Sequence, residues 1–166
     1  MFRLLETYSH KGSFYFASDD NLRVKCKDAD VPDNCCGVYI VSGYFGDKEI
    51  ILYIGSSGHI EDGKPKPRNG GLRRRIYGKQ KDSGKLVQRS LLWSDLMDRQ
   101  HINKLKISWY NTELDNPLVV EYCLILEYVV RHKRLPAWNN ELKLDGRLKE
   151  ELEGFIIRND IEILKV

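Results

Sequence analysis

Four residues are set apart by their surroundings: two tyrosines, one arginine and one glutamate. Tyr39 and Tyr53 each sit inside a short run of β-branched and aliphatic residues, Gly37-Val38-Tyr39-Ile40-Val41 and Ile51-Leu52-Tyr53-Ile54-Gly55. Glu121 lies between Val119-Val120 and Tyr122-Cys123-Leu124-Ile125. A carboxylate in such company needs a divalent cation, an arginine or a proton beside it, because burying it unpaired is costly. Arg75 closes a run of three arginines, Arg73-Arg74-Arg75, which carry fixed positive charge. A carboxylate can hold a metal, a guanidinium can bind phosphate oxygens, and a phenol can move a proton. A second carboxylate, Glu127, lies on the same apolar stretch. It faces roughly 120° away around a helix, so the two cannot share one site. His59, His101 and His132 have no spacing that suggests a metal or a triad.

The elements that must position these residues follow from local pattern. The two tyrosine runs read as antiparallel strands joined through Gly43-Tyr44-Phe45-Gly46-Asp47. Alternation puts Val38 and Ile40 on one face of the first strand, with Gly37, Tyr39 and Val41 on the other. In the second strand Leu52 and Ile54 share a face, opposite Ile51, Tyr53 and Gly55. The two phenols are therefore expected on one face of a hairpin. Gly55, without a side chain, leaves room for a ligand or another backbone. The stretch 57–71 is too rich in glycine, proline and charge to pack, and reads as a mobile loop. Leu72 to Gln80 reads as a short helix with Leu72 and Ile76 on its buried face, Arg75 at the border and Arg74 opposite. A helix is expected over 86–98 and a strand over 105–110. A long helix follows, capped by Asn116 with Pro117 at its first position and running to about Lys133. Before the hairpin, 14–16 and 22–26 read as two short strands around Ser18-Asp19-Asp20-Asn21. Beyond Pro136, a charged helix is expected over 147–153.

Gly37-Val38-Tyr39 and Tyr53-Ile54-Gly55, followed by Arg75, Glu121 and Asn139, resemble the GIY-YIG nuclease family, with Val38 standing where the family name has isoleucine. The resemblance covers roughly 36–140. It implies an α+β fold with a small central three-stranded antiparallel sheet flanked by helices, over 35–140. Residues 1–34 would then form an N-terminal β extension, and 141–166 a C-terminal tail packed on the same domain. It also implies one divalent ion, Mg²⁺ or Mn²⁺, held by Glu121. Tyr39 or Tyr53 would help deprotonate water, and Arg75 would stabilise the phosphate. The family's acidic residue, followed by a leucine-isoleucine pair, matches Glu121 with Leu124-Ile125, whereas the spacing to Asn139 is the commoner one from Glu127. Glu121 is preferred for lying nearer the helix start. Gly55, Lys64, Lys66, Arg68, Arg73, Lys79 and Asn139 are the expected nucleic-acid contacts. Lys79 stands where family members often carry histidine or tyrosine. The implied partner is DNA. A non-catalytic nucleic-acid-binding module on the same scaffold and an RNA-processing nuclease are the alternatives.

Composition sets the outer bounds. A chain of 166 residues suits a single core-forming domain, and 42% hydrophobic with 31% charged residues is ordinary for a globular protein. No apolar run reaches membrane length and the first residues lack a signal-peptide core, so a cytoplasmic protein is expected. Cys26, Cys35, Cys36 and Cys123 lack zinc-site spacing and read as reduced thiols. The net charge of +3 is unevenly distributed. Between Lys64 and Arg89, lysines and arginines cluster with Asp82 as the lone acid, a balance that suits a phosphate backbone.

Overall fold

A computed structural model describes residues 2–82, 84–139, 151, 154–155 and 157–158. The described residues form an α+β structure. Strands β1 (Lys11–Phe16), β2 (Gly37–Phe45) and β3 (Lys48–Ser57) alternate with short ribbons and helices before β8 (Lys104–Asn111). The first ribbon pairs β4 (His59–Glu61) with β5 (Lys64–Lys66), and the second pairs β6 (Lys79–Asp82) with β7 (Lys85–Gln88). The helices are α1 (Leu22–Asp28), α2 (Gly71–Tyr77), α3 (Arg89–Gln100) and α4 (Pro117–His132). The main sheet runs in the order β1-β8-β2-β3, antiparallel throughout.

That sheet has four strands rather than the expected three. The extra one is β1, which pairs along its length with β8, from Lys11 opposite Tyr110 to Phe16 opposite Leu105. Phe14 and Phe16 alternate into the core, so the N-terminal segment completes the sheet. The expected second N-terminal strand, over 22–26, is instead helix α1. Leu22 and Cys26 lie one turn apart and both are buried, while Val24 is exposed. The Asn21 side chain accepts from the Arg23 and Val24 amides, and that cap decides for the helix over the strand.

Three further boundaries move. The stretch 57–71 contains the β4–β5 ribbon rather than loop alone. Helix α2 stops at Tyr77, because Gly78 leaves the helical conformation. Residues 85–88 pair back on 79–82, so the following helix starts at Arg89. Helix α4 starts and ends as expected: Asn116 accepts from the Leu118 amide and Lys133 adopts a left-handed conformation past the last turn.

The sheet separates two cores. Tyr39, Val41, Leu105 and Ile107 pack beneath α1, α2 and α3, with Leu72, Ile76, Trp93 and Met97. Val38, Ile40 and Ile54 face α4, with Val119, Val120, Cys123 and Leu124; Phe2, Leu5 and Phe155 join them. Leu52 and Ile54 were expected on one face. They lie on opposite sides, because a bulge shifts the β2–β3 register: Val41 opposes Tyr53 and Ser42 opposes Ile51, leaving Leu52 as the extra residue. No helix among the described residues is long and apolar enough to cross a membrane.

Candidate active site

The two tyrosines sit on the face of the hairpin beneath α2. Their rings lie 5.8 Å apart between centroids at 37°. Both depend on glycine. At Gly55 an added Cβ would stand 2.5 Å from Tyr53 Cε1 and 2.9 Å from the Tyr39 hydroxyl, so the space above this glycine is filled by the two rings. At Gly37 it would stand 2.3 Å from the Tyr110 carbonyl oxygen, so the glycine lets β2 run close against β8. Tyr39 is fully buried, and its hydroxyl has no hydrogen-bond partner among the described residues. Tyr53 is half-buried. The adjacent Tyr39, together with burial and the Glu121 charge, pushes the Tyr53 phenol well above its usual pKa, while Arg89 and Arg75 oppose that rise.

Arg75 reaches this pair from α2, a seven-residue helix too short to hold by itself. Leu72 and Ile76 anchor it in the core, and the Ser57 hydroxyl donates to the Gly71 carbonyl at 3.0 Å, tying its first turn to the end of β3. The Arg75 Nε then donates to the Ser56 carbonyl at 2.9 Å. Burial disfavours the Arg75 charge, but Tyr39, Tyr53 and Glu121 outweigh it and hold the guanidinium above its ordinary pKa. Arg74 points into solvent.

Glu121 approaches the same strand from the opposite face of the sheet. Its carboxylate accepts a short hydrogen bond from the Ser56 hydroxyl. Ser56 thus joins the two groups, with its carbonyl on Arg75 and its side chain on Glu121. Burial raises the Glu121 pKa, opposed by the Ser56 hydrogen bond and the Arg75 charge. The carboxyl is therefore short of positive charge. Glu127 occupies another face of α4 and is paired with Arg131 at 2.5 Å. Of the two carboxylates, Glu121 is the one brought to the arginine and the tyrosines.

A divalent ion fits this donor set. Among the described residues no group of three histidine, cysteine or acidic side chains comes together, so a metal here would take at most two such side chains, Glu121 among them. That suits Mg²⁺, which commonly keeps several waters and takes one or two carboxylates plus phosphate oxygens.

The remaining expected contacts divide by geometry. Asn139 uses its whole amide on β3: its oxygen accepts from the Ile54 amide and its nitrogen donates to the Ile54 carbonyl, both at 2.9 Å. With the Trp138 amide donating to the Leu52 carbonyl at 2.8 Å, this segment covers the outer edge of the strand that carries Tyr53 and Gly55. Arg73 donates to the Val31 carbonyl at 2.6 Å and pairs with Asp33 at 3.0 Å, bracing α2 against the preceding segment. Lys66 pairs with Glu61 across the first ribbon. Lys64, Arg68 and Lys79 are exposed, with Arg68 Nε 3.4 Å from the Gly58 carbonyl. The four cysteines are free thiols.

Sequence reasoning missed two residues. Ser56 had no signal beyond its position after Gly55. Arg89 was counted only as the end of a basic stretch, yet it is 1% exposed. Its Nε donates to Gln80 Oε1 at 3.0 Å, and its guanidinium lies 5.8 Å from the centroid of the Tyr39 ring. Its Nη1 has no partner among the described residues. One signal was present: an arginine opening a helix opposes the macrodipole, so another interaction must hold it there.

Comparison of the chain with protein-family models, curated proteins and solved structures finds no match.

Proposed function

We propose that the protein is a divalent-metal-dependent DNA endonuclease of the GIY-YIG type, hydrolysing phosphodiester bonds. The observation that carries this reading is the junction at Ser56. There a cation on one face of the sheet and a desolvated carboxylate on the other converge beside two phenol rings tilted against each other. A structural role alone leaves Arg89 Nη1 unexplained, since among the described residues it is buried without a hydrogen-bond partner.

The chain's own residues would divide the work. Arg75, held charged and fixed through Ser56, donates to a non-bridging phosphate oxygen and offsets the charge that builds during attack. Glu121 holds the cation in place of the proton that burial otherwise favours. The Tyr53 phenol keeps its proton in the resting site. To accept one from water it must first release its own, and Arg75 and Arg89 are the groups that favour that release. Tyr39, buried under Arg89, orients its partner ring. A cation held there would supply positive charge to offset the charge that builds on the phosphate.

The test is cleavage of supercoiled plasmid DNA with and without Mg²⁺. Metal-dependent nicking that disappears in Glu121→Gln supports the reading. DNA binding with no cleavage in any divalent metal would reduce the protein to a binding module.

A further inference from the structure

The β6–β7 ribbon stands outside the main sheet. Its strands pair only with each other, and it grows directly from the end of the Arg75 helix. Paired residues in an antiparallel ribbon share a face. The register, Lys79 with Gln88, Gln80 with Val87, Lys81 with Leu86 and Asp82 with Lys85, therefore sorts the ribbon into two sides. The inner side carries Gln80, whose side chain is bound to Arg89, and the half-buried Val87. The outer side carries Lys79, Lys81, Leu86 and Gln88, all exposed. Leu86 is 70% exposed. The base is anchored, since the Arg89 amide donates to the Gly78 carbonyl at 3.0 Å.

We propose that the outer face of this ribbon, through Lys81, Leu86 and Gln88, reads base edges in the major groove of duplex DNA and sets the sequence preference of the endonuclease. This rests on the DNA-endonuclease reading above. The chemistry of the face matches that of the groove. The B-DNA major groove is about 12 Å wide and admits a two-stranded ribbon. Lysine donates to guanine O6 and N7, glutamine pairs with adenine N6 and N7, and an aliphatic side chain packs on the thymine methyl. The outer face carries no acid, and its leucine is open to an apolar partner. The ribbon's anchor at Gly78 directly follows the last turn of α2. A ribbon seated in the groove is therefore held at a fixed offset from the phosphate taken by Arg75. The deep, narrow major groove of A-form RNA would not admit it.

The experiment is selection of bound duplexes from a random-sequence DNA library, without metal, using the full chain and its Lys81→Ala, Leu86→Ala and Gln88→Ala variants. Lys85→Ala, on the other face, is the control, and all five proteins are also assayed for Mg²⁺-dependent plasmid cleavage. The wild type and Lys85→Ala should enrich the same motif. Each outer-face variant should relax one base position, with discrimination there falling about 5- to 150-fold. Thermal midpoints should stay together, because the substituted side chains are solvent-exposed. The inference is overturned if the wild type enriches no sequence, if the outer-face variants enrich an unchanged motif, or if duplex RNA binds as tightly as DNA. Cleavage with an unchanged motif would leave the nuclease standing without its reading head. A motif relaxed in the variants but no cleavage by any protein would remove the nuclease and keep the ribbon.

Discussion

Replacing Glu121 by glutamine isolates the charge at the centre of the proposed site. Glutamine has the same size, and its carbonyl oxygen still accepts the Ser56 hydroxyl. What is lost is a carboxylate that burial penalises. Without metal the variant should therefore be at least as stable as the wild type at neutral pH. The sign of the pH dependence follows from the raised pKa. Glu121 supports the metal-free fold fully below its ordinary value of 4.5, and that contribution is lost as pH rises through the higher folded value. The wild type should thus fall in stability relative to the variant over that window. Metal reverses the order. A cation at a hundred times its dissociation constant stabilises by about 2.7 kcal/mol. For a domain of this size each kcal/mol moves the thermal midpoint by about 2–4 °C, so Mg²⁺ should raise the wild type by about 5–11 °C and the variant not at all. Thermal melts from pH 4 to 8, with Mg²⁺ and with chelator, read both effects. Should Glu121→Gln unfold early without metal, by about 3–5 kcal/mol, Glu121 is instead a structural partner of the Arg75 charge. A Mg²⁺ shift that survives in Glu121→Gln but vanishes in Glu127→Gln would refute the assignment of the carboxylate.

Arg75→Ala should lower turnover about 10²–10³-fold, the usual cost of one transition-state donor, while Arg74→Ala should be near wild type; equal losses in steady-state cleavage would mean the arginines act as a diffuse charge patch. Tyr39→Phe should melt close to the wild type, since its buried hydroxyl makes no full hydrogen bond among the described residues, yet both Tyr39→Phe and Tyr53→Phe should cut more slowly. Two fully active phenylalanine variants would show that the rings only pack. Arg89→Met should move the ascending limb of the pH–rate profile to higher pH, because the Arg89 charge opposes the raised pKa of Tyr53. An unmoved limb would separate Arg89 from the phenols.

Local chemistry alone determined much of this protein. The alternation of β2 put Tyr39 opposite Val38 and Ile40, and both cores respect it. The Asn116–Pro117 start and the border position of Arg75 beside Leu72 and Ile76 are likewise written within one or two helical turns. Such features depend on residues up to four positions apart, which is why sequence exposes them. The rest depended on partners far along the chain. Residues 14–16 read as a strand, but nothing in Lys11–Phe16 marks that it will pair with β8, so its place as fourth strand of the sheet was not legible. The bulge at Leu52 arises from how β2 and β3 align, and it turns Leu52 to the side opposite Ile54 while Tyr53 stays with Tyr39. Asn139 can only cap Ile54 once the segment after α4 returns to the sheet edge. Arg89 was one basic residue among many until the packing of α3 sealed its guanidinium against Tyr39. Burial is a property of the packed chain, and it turns a surface charge into part of the site.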